Sequence, residues 1–124
     1  MSGVRLVRPK QRFESTPTAG VVREQAMSTD GLWAGIVHTD AGMVSGWHHH
    51  GDYETSIYVL TGAMRMEFGE QGADTLDAVP GDFLYIAPHA IHREGNPSRE
   101  FGSAVVVRAG HGEPVINVKG PGPA

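Results

Sequence analysis

The chain has no cysteine. That excludes disulfides, thiolate nucleophiles and iron–sulfur ligation, and leaves imidazole and oxygen as the donors for any metal. Basic residues are few and scattered: 10 Lys and Arg stand against 14 Asp and Glu, a net charge of −4. No basic stripe follows a phosphate backbone, so nucleic acid is not expected as a partner. Long apolar runs are missing too. The run "SAVVV" falls far short of the roughly 20 residues that a bilayer-crossing helix needs, so no membrane partner is expected. The opening stretch, "MSGVRLVRPKQRFES", has no apolar signal core, and a cytoplasmic location is expected. No stretch carries a convincing amphipathic helical period.

What the chain does have is turn residues and strand-formers. At 124 residues it is long enough for one real core, and 17 glycines with 8 prolines favour many short strands joined by tight turns. "LWAGIVHT", "TSIYVL", "AMRMEF", "FLYIA" and "SAVVVR" read as strands, with a shorter one around Thr75 to Ala78. In "AMRMEF", Met64, Met66 and Phe68 alternate with Arg65 and Glu67, as one buried and one wet face require. Asp30-Gly31 marks a turn, and "REQAMS" (23–28) fits a strand or a short helix. The pattern predicts an all-β, antiparallel sandwich or barrel of about eight strands in a single domain. An extended arm over 1–20, a barrel over 21–118 and a flexible tail over 119–124 complete the expected layout.

The chemistry concentrates in "GWHHHGDYET" (46–55) and "PGDFLYIAPHAIHREGN" (80–96). On a regular strand, side chains two apart share a face. His48 and His50 therefore point one way, and His49 and Trp47 the other. Glu54 has the parity of the histidine pair, so a short turn or extended path could return its carboxylate to their face. Two imidazoles and a carboxylate make a mixed nitrogen and oxygen site for a first-row metal. His89 and His92 are the further imidazoles, and either could approach this cluster.

The two stretches resemble the paired motifs of the cupin superfamily. Gly42, His48, His50, Glu54 and Gly62 follow the first motif, G-x5-H-x-H-x3,4-E-x6-G, except that seven residues rather than six separate Glu54 from Gly62. In the longer form of that motif the acid would fall on Thr55, which cannot replace a carboxylate as a strong ligand. Gly81, His92 and Asn96 stand at the spacing of the second motif, G-x5-P-x-G-x2-H-x3-N; Pro88 comes one place late and the second glycine of the pattern falls on His89. The resemblance implies an antiparallel cupin barrel, or double-stranded β-helix jelly roll, with a metal in its mouth. It implies His48, His50, Glu54 and His92 as ligands to one divalent first-row transition metal per chain: manganese, iron, nickel, zinc, cobalt or copper. Such a set leaves coordination positions open for water or substrate.

His49 is expected to be structural, on the outer face. His89 is the one candidate catalytic group, a proton carrier at the mouth, with a plain loop histidine as its ordinary reading. Trp33, Tyr58, Met64, Met66, Phe68 and Tyr85 are candidates for the barrel lining, and Arg93 with Glu94 reads as a solvated pair. The function expected from the resemblance is that of a small metal-dependent enzyme, of oxygenase, isomerase or lyase type, acting on a small organic substrate. The alternatives are a non-catalytic binding module whose metal anchors a ligand or stiffens the barrel, and a metal-free barrel with acid–base histidines. A homodimer is expected, as is common for small members of the superfamily, and the segment "VRLVRP" could add a strand to a neighbouring sheet.

Overall fold

A computed structural model describes residues 3–122. Eleven strands carry the fold: β1 (Phe13–Glu14), β2 (Val22–Ser28), β3 (Leu32–Thr39), β4 (His48–His49), β5 (Glu54–Thr61), β6 (Met64–Phe68), β7 (Asp74–Ala78), β8 (Phe83–Ile86), β9 (His92–Gly95), β10 (Gly102–Ala109) and β11 (Ile116–Asn117). The only helical pieces among the described residues are two three-residue 3₁₀ turns, at Pro9–Gln11 and Glu70–Gly72. The segment 23–28, open between strand and helix in the sequence, is strand β2. Its neighbours settle the choice: it pairs along β3, where its extended backbone satisfies the ladder.

Two antiparallel sheets form the barrel. One has six strands in the order β1-β2-β3-β10-β5-β8, the other five in the order β11-β4-β9-β6-β7. The all-β antiparallel architecture is thus as the turn-rich sequence implied. Burial alternates along the long strands of the larger sheet. Trp33, Gly35, Val37 and Thr39 of β3 point inward, as do Ala104, Val106 and Arg108 of β10. On β5 the inward set is Thr55, Ile57 and Val59. Val37, Ile57, Val59, Ala104 and Val106 therefore make an apolar floor, which joins Met64 and Met66 from the smaller sheet in one core. Burial of that surface drives the two sheets together. Toward one end the same face turns polar, because Arg108 stands opposite Trp33 on one side and Thr55 on the other.

Two of the expected lining residues face outward. Tyr58 is half-buried against Phe83 outside the barrel, and Tyr85 is 65% exposed. The correction follows from the phase of β5 and β8, whose inner residues are Ile57, Val59 and Ile86. Trp33, Met64 and Met66 are buried, and Phe68 packs partly buried against the core.

The opposite end is closed by a clamp built on Asn96. This side chain is buried, donates to the Glu100 carbonyl at 2.7 Å and accepts from the Ser98 hydroxyl at 2.6 Å. Gly62 fits beneath it with φ +68°, and a Cβ there would lie 2.9 Å from the Gly102 Cα. Only glycine meets both demands. Of the expected arm (1–20) and tail (119–124), residues 1–2 and 123–124 lie outside the described residues. Within the arm, Phe13–Glu14 pairs with β2 of the same chain, and Val4 and Leu6 are exposed.

Candidate metal centre

The smaller sheet sets three histidines against one another. His48 on β4 pairs directly with His92 on β9, and His50 follows two residues after His48 on the same side. Cross-strand pairing and the two-residue period place all three rings inside the barrel. All are buried, and one ring nitrogen from each lies within 4.8 Å of the others.

Hydrogen bonds fix the tautomers. Each Nδ1 donates to a backbone carbonyl: His48 to Gly46 at 2.9 Å, His50 to Pro114 at 2.8 Å and His92 to Ala90 at 2.8 Å. With the proton held on Nδ1, the Nε2 lone pair of each neutral ring is directed away from the backbone. The Nε2 atoms of His48 and His92 are buried and have no hydrogen-bond partner. Such orphaned nitrogens cost free energy unless a cation or donor meets them.

Burial pushes the His92 pKa down to about 4, helped by the nearby His48 and Arg23. His50 is driven further down, by burial first and then by Arg108, His92 and His48. Both rings are therefore neutral at physiological pH, the form that binds metal. Three buried imidazoles with converging lone pairs and locked tautomers could hold one metal ion.

The expected carboxylate, Glu54, does not join the three rings. Glu54 is exposed and accepts a hydrogen bond from the Tyr85 hydroxyl at 3.2 Å, away from the three rings. The cause is the turn between His50 and Tyr53. Gly51 takes φ +58° and the Tyr53 amide donates to the His50 carbonyl. Alternation holds only along unbroken strand, so the turn shifts the inward phase from even to odd residues. Thr55 is consequently the inward residue, 1% exposed, its hydroxyl without a partner. With Thr55 in the acid position, the spacing to Gly62 becomes the regular six residues.

A different acid reaches the site. Glu94, two residues after His92 on β9, is 5% exposed rather than solvated, with Oε1 3.1 Å from His48 Nε2. Burial alone would raise its pKa, but His48, Arg23 and His92 outweigh that and hold it well below the usual carboxylate range. The His48–Glu94 approach lacks hydrogen-bond geometry, since Nε2 remains unpartnered. A lone pair and a carboxylate this close require positive charge on or between them, whether a proton or a metal ion. On the far side, Arg23 NH2 stands 3.9 Å from the same Oε1.

Residues 35–110 match the sequence profile of the cupin domain family. The chain belongs to that family. No curated protein matches the cupin in sequence. Its fold is close to that of several solved structures. KdgF from Halomonas sp. superposes with a TM-score of 0.70 and 19% identity, over 87% of this chain and 96% of that one. A conserved double-stranded β-helix protein from Klebsiella pneumoniae gives 0.74 and 16%, over 94% and 98% of the two chains. The polyketide cyclase RemF from Streptomyces resistomycificus gives 0.71 and 18%, over 93% and 85%. At these identities the likeness shows the cupin fold.

The remaining histidines of this cupin lie outside the cluster. His49 is half-buried on the other face, where its Nδ1 accepts from the Gly51 amide and its ring leans on His89. His89 is exposed, and its Nε2 pairs with Asp52 at 2.7 Å. It occupies the second motif's glycine position, and its φ is +62°, the left-handed conformation that glycine takes there readily. His89→Gly is expected to leave metal content unchanged and to raise stability slightly, by up to about 1 kcal/mol, in thermal melts. A drop in bound metal would contradict this placement.

A mostly apolar cavity of about 260 Å³ lies beside the cluster, walled by Met66, Phe68, Leu76, Leu84, Ile86 and His92. Tyr85 borders it with its exposed ring. A cavity of this size takes a small molecule only.

The depressed imidazoles make the metal-free protein sensitive to acid. Folded His50 and His92 bind protons less readily than in the unfolded chain, so unfolding takes up protons below pH 6.5. Stability is therefore fully present above about pH 6.5 and falls as pH drops toward about 4. His92 alone accounts for about 3 kcal/mol of that loss. Urea unfolding of chelated protein between pH 7.5 and pH 4 checks it, and a flat profile would contradict it.

Proposed function

We propose that this cupin is a small metal-dependent enzyme acting on a small organic substrate, with His48, His50 and His92 holding one divalent first-row transition metal through Nε2. The carrying observation is the convergence of three buried imidazoles, each with its proton committed to a backbone carbonyl. Glu94 supplies the carboxylate that the sequence pattern assigned to Glu54. The bound metal would polarise a substrate oxygen as a Lewis acid.

The chain's own residues do the rest. The three carbonyls orient the rings, and Arg23 helps keep Glu94 ionised so that it can offset the metal's charge. The apolar wall from Met66 to Ile86 excludes water from one side of the cluster, which strengthens every charge interaction within it. RemF, similar in fold, is a polyketide cyclase, so a compact barrel of this shape is compatible with catalysis on an organic molecule.

Elemental analysis of untagged wild type and His50→Ala tests the reading, together with substrate turnover before and after chelation. About one metal per wild-type chain, lost in the variant, and turnover restored by added metal are expected. A loaded protein that turns over no small organic substrate would leave a binding module. Turnover that survives complete chelation would move the histidines to acid–base roles.

A further inference from the structure

The interior holds more positive charge than the protein itself neutralises. Arg23 is largely paired: its Nη1 donates to the Thr16 carbonyl at 3.0 Å and to the Thr18 hydroxyl at 2.7 Å, and its Nη2, though without a hydrogen bond, stands 3.9 Å from the Glu94 carboxylate. Arg108 is different. Only 3% exposed, it is held over the Trp33 ring at 4.3 Å, and its Nε and NH1 are buried with no hydrogen-bond partner. Its side chain lies on the inward face of β10, in phase with Ala104 and Val106, at the polar end of the barrel interior. Thr55, directly across the ladder from Arg108, carries a further buried polar atom with no hydrogen-bond partner.

An unpaired guanidinium is among the costliest groups to bury, and the planar fork of Arg is matched to a carboxylate. The one buried carboxylate nearby, Glu94, already faces Arg23 and His48. A divalent metal on the histidines would add two positive charges to this excess. A neutral ligand would leave the imbalance in place, whereas an anion with two oxygens would relieve it.

We infer that Arg108 and Thr55 form an anion subsite inside the barrel, and that the ligand of this cupin is a small carboxylate bound there by its carboxyl group. A second oxygen of the same molecule would face the metal; only that second contact rests on the proposed metal centre. Arg108 is a substrate-binding residue in this account, and Thr55 pairs across the ladder with Ile86, a wall of the apolar cavity of about 260 Å³, whose size would limit the rest of the molecule to a few carbon atoms.

Glycolate and glycolamide, alike in size and hydroxyl but differing in charge, test it by titration calorimetry on zinc-loaded and on chelated protein. Wild type is expected to bind glycolate at least tenfold more tightly than glycolamide, with Arg108→Gln reducing the ratio to within twofold. Arg108→Gln without ligand is expected to melt within a few degrees of wild type, because its guanidinium has no hydrogen bond to lose. Should that variant not fold, Arg108 is structural and the inference is overturned. Thr55→Val, which keeps shape and removes the hydroxyl, is expected to weaken glycolate several-fold and leave glycolamide unchanged. Equal binding of the two probes by wild type, or a preference that persists in both variants, would also overturn it. Zinc that fails to bind wild type would count against the metal centre alone, since the chelated arm still decides the anion subsite.

Discussion

His92→Ala is expected to bind metal at least roughly 100-fold more weakly than wild type, because loss of a direct ligand exceeds the 10- to 100-fold cost usual when only a group hydrogen-bonded to a ligand is changed. The variant leaves two imidazoles on one strand segment and removes the partner from the facing strand, so chelation across the β4–β9 pair is lost. The protein should still fold. His92 contributes no hydrogen bond beyond the Ala90 carbonyl two residues away, and the core of Val37, Ile57, Val59 and Val106 lies on the opposite sheet. Removing one of the depressed imidazoles should also make the metal-free variant less sensitive to acid than metal-free wild type. Competition titration against a chromophoric chelator gives the affinity, and urea unfolding at pH 7.5 and pH 5 gives the second effect. Wild-type affinity in His92→Ala would remove this residue from the ligand set.

Glu94→Gln and Glu54→Gln are expected to differ sharply although both delete one carboxylate. Glu94 is buried between His48 and Arg23. Its neutralisation leaves Arg23 without the counter-charge beside it, a change that costs about 3 kcal/mol or more in a buried site. It also takes the negative charge from beside the histidines, and metal affinity should fall roughly 10- to 100-fold. Glu54 is exposed, and its hydrogen bond to Tyr85 lies in solvent. Its replacement should change stability by no more than about 0.5 kcal/mol and leave the metal in place. Thermal melts and metal analysis of the two variants side by side check this. Metal lost from Glu54→Gln and retained in Glu94→Gln would restore the sequence-derived ligand set.

That contrast also marks what could be read before the structure. The strands were legible because their alternation and bounding glycines are local signals, and the three histidines because H-x-H with a later histidine survives any detail of the turn between. Glu54 lies outside the cluster because a turn interrupts the strand between His50 and Glu54, and alternation does not carry across it. The extra residue between Glu54 and Gly62 was the signal that Thr55 held the inward position. Glu94 and Arg108 were missed for another reason. Charged residues are solvated far more often than buried, and nothing local contradicts that default. The information was nevertheless in the phase of their strands: Glu94 shares parity with His92, and Arg108 shares it with Ala104 and Val106. Arg23 sits on a segment whose identity as a strand depends on its pairing with β3, and no local pattern reveals that.

The central claim is that three imidazoles hold a metal through Nε2 inside the barrel. Anomalous diffraction at the absorption edge of the bound metal, from crystals of the loaded protein, tests it most directly. The account predicts one peak per chain at about 2.0–2.3 Å from Nε2 of His48, His50 and His92, with Glu54 remote from it. A peak elsewhere, or ligation through Nδ1 with the carbonyl bonds of Gly46, Pro114 and Ala90 broken, would contradict it.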